Sequence, residues 1–376
     1  MAIFTKLDIL RQIMVKIYTE VYGCSSNKDD SNIIKGILIE KGHTLTNNSD
    51  ESDLVIISTC IVKEVTANKI RHRLKELHNK YKNLIITGCM PEAEKEICRN
   101  LFPRASLVNT FNITRINEAV AKVLENNKVE FLGRTRVLKI GLPKSFSKEV
   151  TIQIAEGCTS SCSFCETKLA KGYIQSYDEK EIVDEVRYYK NMGVKRFNIS
   201  STDNSDYGKD IGTNLTSLLK KIIEIKGDFK IRVGMMNPAG VNAFLDELIE
   251  VYKSDKIIKF LHIPVQSGSD KVLNEMSRRY NIKDFKGIVD RFRKEIPNIR
   301  ISTDVIVGYP TETEEEFKRT LELIKEVKPE VLNISRFSAR PGTRASKLKQ
   351  LTTEEVKRRS SILTKEFKKI KTTLVC

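Results

Sequence analysis

"GCTSSCSFCETKLAKG", residues 157–172, sets three cysteines within eight positions: Cys158, Cys162 and Cys165, spaced Cys-x3-Cys-x2-Cys. A closed structural zinc site takes four ligands, yet no fourth cysteine or histidine follows closely; the next histidine is His262. A disulfide would leave one thiol over and is rare in a reducing compartment. A redox pair on Cys162 and Cys165 would have no use for Cys158. A 4Fe–4S cluster resolves the count. Its four irons ordinarily take four thiolates, so three leave one iron open to an outside ligand, as the open position does in a catalytic zinc site.

The stretch lies directly behind a predicted strand, 150–155, the first of six βα units. The strands 150–155, 194–200, 230–235, 258–264, 300–307 and 331–337 alternate with helices 178–192, 214–226, 241–253, 283–295, 312–327 and 353–370. Six units are too few for a closed eight-fold barrel, so an open, partial barrel is expected, with the cysteine loop at the strands' carboxyl ends. Upstream, strands 15–21, 53–59 and 83–88 alternate with helices 28–42, 62–81 and 91–102, with Pro91 at a helix start. Short apolar strands separated by helices predict a parallel sheet covered on both faces. The expected fold class is therefore α/β: an N-terminal open parallel-sheet domain over 14–125, then a partial βα barrel over 150–345. Residues 126–149 are lysine-rich, lose the alternation and read as a linker. Residues 1–13 read as an N-terminal extension, and 346–376 as a basic C-terminal helix.

Lysine and arginine outnumber acids 65 to 49 in the 376 residues, a net charge of +16, and 40% of the chain is hydrophobic, enough to fill more than one core. From Arg344 to Lys371 ten basic residues face three acidic ones, which favours a polyanion partner such as nucleic acid over a mixed solvated face. No apolar run of about 18 residues occurs, so no membrane helix is expected. The start of the chain lacks the apolar core and cleavage site of a signal peptide, and a cytoplasmic location is expected.

The other cysteines are 24, 60, 89, 98 and 376. Cys24, Cys60 and Cys89 each follow a predicted strand: "IYTEVYGC", "LVIISTC" and "LIITGC". The carboxyl ends of parallel strands share one edge, so three loops there can gather three thiols, which favours a second cluster over three small buried residues. Cys98, within a predicted helix, and Cys376 receive no role.

The triplet Cys158, Cys162, Cys165, with Phe164 before the last cysteine, resembles the radical S-adenosylmethionine superfamily. "VYGCSSNKDDS", "STCIVKEVTANKI" and "TGCMPEAEKE" then resemble the methylthiotransferase family over residues 14 to about 370. So do "FLHIPVQSGSDKVLNEMSRRY" (260–280), "STDVIVGYPTETEEEF" (302–317) and "NISRFSARPGTRA" (333–345). The resemblance implies two 4Fe–4S clusters, an auxiliary one on Cys24, Cys60 and Cys89 and a radical one on Cys158, Cys162 and Cys165. It also implies S-adenosylmethionine as cofactor and an electron donor as partner. A C–H bond on a heteroaromatic carbon offers no easy acid–base route, hence a radical source and a sulfur source together. Phe164, Thr202, Asp203, Gln266, Asp304 and Arg340 are the residues expected to touch cofactor or substrate.

"ETKLAKGYIQSY" and "RVGMMNP" resemble the archaeal and eukaryotic branch, which methylthiolates C2 of N6-threonylcarbamoyladenosine beside the tRNA anticodon. Other branches act on another tRNA adenosine or on a ribosomal-protein aspartate; the basic charge favours RNA. A binding protein of another class, holding RNA and structural metal, would show four ligands per site rather than three. Two positions differ from the branch. Thr202 stands where it has a glutamine, and Glu166 where it has an aliphatic residue; a carboxylate there is expected to shift the cluster's potential or pair with a lysine. The family also ends in an RNA-gripping β-barrel, the TRAM domain. This chain stops at "EFKKIKTTLVC", where that module would begin, so more of the RNA contact is expected from residues 344–371.

Overall fold

The computed structural model describes residues 14–375; the extension read over residues 1–13, and Cys376, lie outside the described residues. The chain divides into two units, parting between Phe146 and Ser147.

The first unit runs β1 (Lys16–Val21), α1 (Ser25–Glu40), β2 (Thr44–Thr46), β3 (Leu54–Thr59), α2 (Glu64–Lys80), β4 (Leu84–Gly88), α3 (Met90–Ala93), α4 (Lys95–Leu101), β5 (Ser106–Asn109), α5 (Ile116–Leu124) and β6 (Glu130–Phe131). The strands form one sheet in the order β2-β1-β3-β4-β5-β6, parallel throughout. Every residue of β3 and β4 is buried, as expected where helices cover both faces. Ile33, Ile34 and Ile37 of α1 join Ile17, Leu54, Ile56, Ile85 and Val108 in one core. On α2 the buried Ala67, Ile70, Leu74 and Leu77 form one helical stripe. The helix read over 91–102 is broken at Glu94, whose backbone leaves the helical region.

Residues 126–149 differ from the linker the sequence suggested. They supply β6, and their following stretch packs on α1. Gly36 of α1 is what permits this, since a Cβ there would stand 2.2 Å from the Pro143 carbonyl oxygen. Ser145 N donates to Asn32 O at 2.9 Å. Two buried lysines of this stretch pair with acids of α1: Lys139 with Asp30 at 2.6 Å and Lys144 with Asp29 at 3.2 Å. The lysines that made the stretch look solvated are thus its anchors.

The second unit runs β7 (Glu149–Gln153), β8 (Ala155–Glu156), α6 (Thr167–Lys171), β9 (Gln175–Ser176), α7 (Glu179–Asn191), β10 (Arg196–Ser200), α8 (Leu215–Ile223), β11 (Lys230–Val233), α9 (Pro238–Val241), α10 (Leu245–Lys253), β12 (Phe260–His262), α11 (Asp270–Glu275), α12 (Ile282–Glu295), β13 (Arg300–Val307), α13 (Glu314–Val327), β14 (Val331–Arg336) and α14 (Thr353–Val375). Two parallel three-stranded sheets, β11-β10-β7 and β12-β13-β14, are joined by a parallel bridge of Ile231 to Ile257. The result is the six-unit partial barrel, with β7 and β14 as its two edges. Helices start where side chains cap them: Asn281 with Asp284 and Thr313 with Glu316 form capping boxes on α12 and α13.

Lys144→Met removes a charge partner of the buried Asp29 carboxylate. It is expected to destabilise the first unit by about 3 kcal/mol, seen as an earlier urea transition.

Candidate active site: two sets of three thiols

The first set is assembled by sheet register. Val21 of β1 pairs with Ser58 of β3, and Thr59 pairs with Gly88 of β4. Cys24, Cys60 and Cys89 follow these three adjacent strands. Strand order reverses between β1 and β3, the crevice where open parallel sheets bind their ligands. Gly23 takes φ +117°, and a Cβ there would come within 2.6 Å of Cys60 Cβ, so the first loop lies directly on the second. Asn27, on the first turn of α1, ties the three loops together. Its Nδ2 donates to Tyr22 O at 3.1 Å and Thr59 O at 2.7 Å, and its Oδ1 lies 3.6 Å from Cys89 Sγ. Cys24 is exposed, while Cys60 and Cys89 are buried. Cys98 is buried on α4, and burial, with help from Glu94, pushes its thiol up to about 12.

The second set sits on a loop closed at its base. β8 and β9 form an antiparallel pair that the sequence reading missed. Glu156 and Lys171, both buried, pair at 2.8 Å, Cys158 N donates to Gly172 O at 3.3 Å, and Lys168 Nζ donates to Cys158 O. From the loop after β10, Asp206 holds the first thiol's turn: it accepts from Thr159 N at 2.7 Å, Thr159 Oγ1 at 2.9 Å and Cys158 Sγ at 3.2 Å. From the segment after α11, Arg278 Nη1 donates to Cys162 Sγ at 3.2 Å, and its Nε to Tyr280 Oη at 3.1 Å.

Burial pushes the Cys60 and Cys165 thiols up, and it does so for Cys158 with Asp203 and Asp206 adding to the effect. Thiols so placed ionise when a metal centre takes the proton's place, so the donor chemistry fits metal ligation. Among the described residues, the group whose ligating atoms lie within 4.8 Å of one another is Cys158, Asp203 and Asp206. Neither set of three thiols forms such a group among the described residues.

The remaining candidates fall in distinct places. Phe164 packs against an apolar cluster of Val272, Met276, Tyr309 and Ala345. Thr202 lies half-buried in the loop after β10. Asp203 is buried, and its Oδ1 accepts from Ser205 N at 3.0 Å, Ser205 Oγ at 2.7 Å and Asn237 N at 3.1 Å. Burial and then Asp206 push its pKa up. Asp206, against its own burial, is held below the carboxylate range by Lys209 and Thr159. Gln266, at φ +69°, is bound through its backbone: its N donates to Asp304 O at 2.8 Å and its O accepts from Ile306 N at 2.9 Å. Asp304 accepts from Asn333 Nδ2 at 2.6 Å and lies 2.9 Å from His262 Nε2, a polar trio across β12, β13 and β14. Arg340 is buried and paired with Glu166. Sequence reasoning missed Asn27, Asp206, His262 and Arg278; their partners lie 32 to 116 residues away, beyond any local pattern.

The chain matches the family model "Radical SAM superfamily" over residues 152–324 and "Uncharacterized protein family UPF0004" over residues 16–110. Its fold is similar to that of a radical S-adenosylmethionine methyltransferase, TsrM, from Kitasatospora setae, solved with cobalamin and a [4Fe-4S] cluster bound. The TM-score is 0.64 at 13% identity, covering 89% of this chain and 74% of that one. The cobalamin-dependent radical enzyme OxsB gives a TM-score of 0.58 at 11% identity, covering 94% and 56%. The family-model match over residues 152–324, which contains the cysteine loop, makes this a protein of the radical S-adenosylmethionine class. A "Probable threonylcarbamoyladenosine tRNA methylthiotransferase" of Pyrococcus horikoshii is 41% identical over 355 residues, covering 93% of this chain and 83% of the relative. A relative of the same name from Methanocaldococcus jannaschii is 39% identical, covering 93% and 82%. The human "Threonylcarbamoyladenosine tRNA methylthiotransferase" is 34% identical over 362 residues, covering 94% of this chain and 62% of that protein. The chain belongs to the threonylcarbamoyladenosine tRNA methylthiotransferase family.

Asp203→Ala deletes the acceptor of three buried donors. It is expected to cost about 2–3 kcal/mol of stability with no ligand added, measured by denaturant unfolding. An unchanged midpoint would return Asp203 to the role of a pure ligand contact.

Proposed function

We propose that this protein transfers a methylthio group to C2 of N6-threonylcarbamoyladenosine next to the tRNA anticodon, giving the 2-methylthio nucleoside. The observation that carries the reading is the pair of three-thiol sets, each at the carboxyl ends of parallel strands. Cys158, Cys162 and Cys165 would hold a 4Fe–4S cluster that, with S-adenosylmethionine and an external electron donor, supplies the radical, and Cys24, Cys60 and Cys89 would hold a second that supplies sulfur.

The chain's own residues prepare that chemistry. Arg278 sets a cation against the Cys162 sulfur, a hydrogen bond of the kind that tunes cluster potential. Asp206 fixes the turn bearing Cys158. Gln266 and Asp304 are the proposed contacts for cofactor or substrate, with His262 and Asn333 orienting the Asp304 carboxylate. Cysteines gathered in ligand sets suit a reducing compartment, and we place the reaction in the cytoplasm. No helix among the described residues is long and apolar enough to cross a membrane. For tRNA, α14 offers the exposed Lys357, Lys365, Lys368 and Lys371, which the 3.6-residue period sets along one side of the helix.

Anaerobic reaction of reconstituted protein with S-adenosylmethionine, reductant and tRNA bearing N6-threonylcarbamoyladenosine is expected to yield the methylthio nucleoside by mass spectrometry. Cys24→Ala or Cys158→Ala should abolish it. Release of 5′-deoxyadenosine without that nucleoside would count against this substrate. In filter binding across salt, Lys365→Glu with Lys368→Glu is expected to weaken tRNA binding and flatten the log–log slope by about 1 to 2.

A further inference from the structure

The partial barrel has an open seam. β7 pairs with β10 alone and β14 with β13 alone among the described strands. The loop carrying Cys158, Cys162 and Cys165 follows β7 and β8; the loop after β14 lies across it. Ala345 N donates to Ser163 O at 2.9 Å. Arg344 Nη2 donates to Ser161 O and to Ser277 Oγ, each at 2.7 Å. At the far end of the cysteine run, the Arg340 guanidinium pairs with Glu166 through both Nε and Nη2. Glu166 directly follows Cys165. The two residues are 4% and 6% exposed.

Burying a charge pair costs desolvation that an apolar pair would not, so stability alone is a weak reason for one here. Direction is the better reason. In the stretch "GCTSSCSFC" Phe164 packs into an apolar cluster, and the other side chains are small and mostly polar, with little apolar surface to hold the far end after Cys165. Two guanidinium nitrogens converging on one carboxylate oxygen, Glu166 Oε2, pin that oxygen at one point from a fixed direction, and this carboxylate is one residue from a thiol.

We propose that Glu166 and Arg340 are a clasp that closes the seam over the cysteine loop and governs how firmly the loop keeps its iron–sulfur cluster. Both act as positioning residues. The inference rests on the cluster assignment above for Cys158, Cys162 and Cys165.

The test uses the full chain with Cys24, Cys60 and Cys89 changed to alanine, so that only the cysteine-loop cluster is read. After anaerobic reconstitution, the loss of charge-transfer absorbance under a chelator is timed. Glu166→Gln and Arg340→Gln are each expected to speed loss about tenfold, the scale of effects from groups behind metal ligands. The exchanged pair, Glu166→Arg with Arg340→Glu, is expected to recover most of that. Thermal melting before reconstitution checks the fold, and Arg340→Lys, which keeps the charge and loses the fork, is expected to fall between. Wild-type rates in both Gln variants, or no recovery in the exchanged pair, would overturn the clasp while leaving the cluster assignment standing. No iron bound by the parent protein would remove the assignment and the clasp with it.

Discussion

Parallel strands deliver all their carboxyl ends to one edge, and each unit of this protein builds on that constraint. In the first unit, Cys24, Cys60 and Cys89 are separated by two whole strand–helix excursions, yet the register of β1, β3 and β4 sets their loops side by side. Gly23 and Asn27 then convert adjacency into contact. In the second unit the same constraint brings the loops after β7, β10 and β14, together with the segment after α11, around one run of sixteen residues. Helices cover the strands, which frees the loops to carry polar chemistry without carrying the core.

What the sequence made legible follows from what its patterns measure. Apolar runs such as "LVIIST" and "LIITG" announce buried parallel strands, and the structure keeps them at Leu54–Thr59 and Leu84–Gly88. The cysteines were legible because their position relative to those runs could be counted. β2, β5 and β6 were not, being four residues or fewer and too short to show a period. Residues 126–149 were misread because hydrophobic patterning is blind to a segment that docks by charge. Nothing local tells Lys139 or Lys144 from a solvated lysine; Asp30 and Asp29 lie 109 and 115 residues away.

Glu166 shows the intermediate case. A carboxylate beside the last cysteine was visible as an oddity, expected either to shift the cluster's potential or to pair with a lysine; the partner is Arg340. That the partner is arginine rather than lysine is a matter of geometry. The site is reached from a loop across an open seam, and a planar guanidinium can bring two nitrogens to the one oxygen Glu166 Oε2, which a single flexible ammonium cannot. Similar pairs recur where loops, rather than strands, need fixing: Glu156 with Lys171 at the base of the cysteine loop, and Arg359 of α14 with Glu312 behind β13 at 2.8 Å. Apolar contacts are indifferent to direction; these buried pairs each pin one point of the backbone.

The same distinction divides the basic tail of the chain. Its ten cations are not one patch. Arg344 reaches the cysteine loop, Arg358 pairs with Glu355 at 2.8 Å, and Arg359 is buried on Glu312. These arginines bind the chain to itself. Lys357, Lys365, Lys368 and Lys371 of α14 remain exposed, where an ammonium can meet a phosphate backbone as a point charge. The net charge of +16 is therefore a poor guide taken alone. Its arginines in this region are largely committed to architecture, and the exposed lysines of α14 are what is left to meet the proposed polyanion.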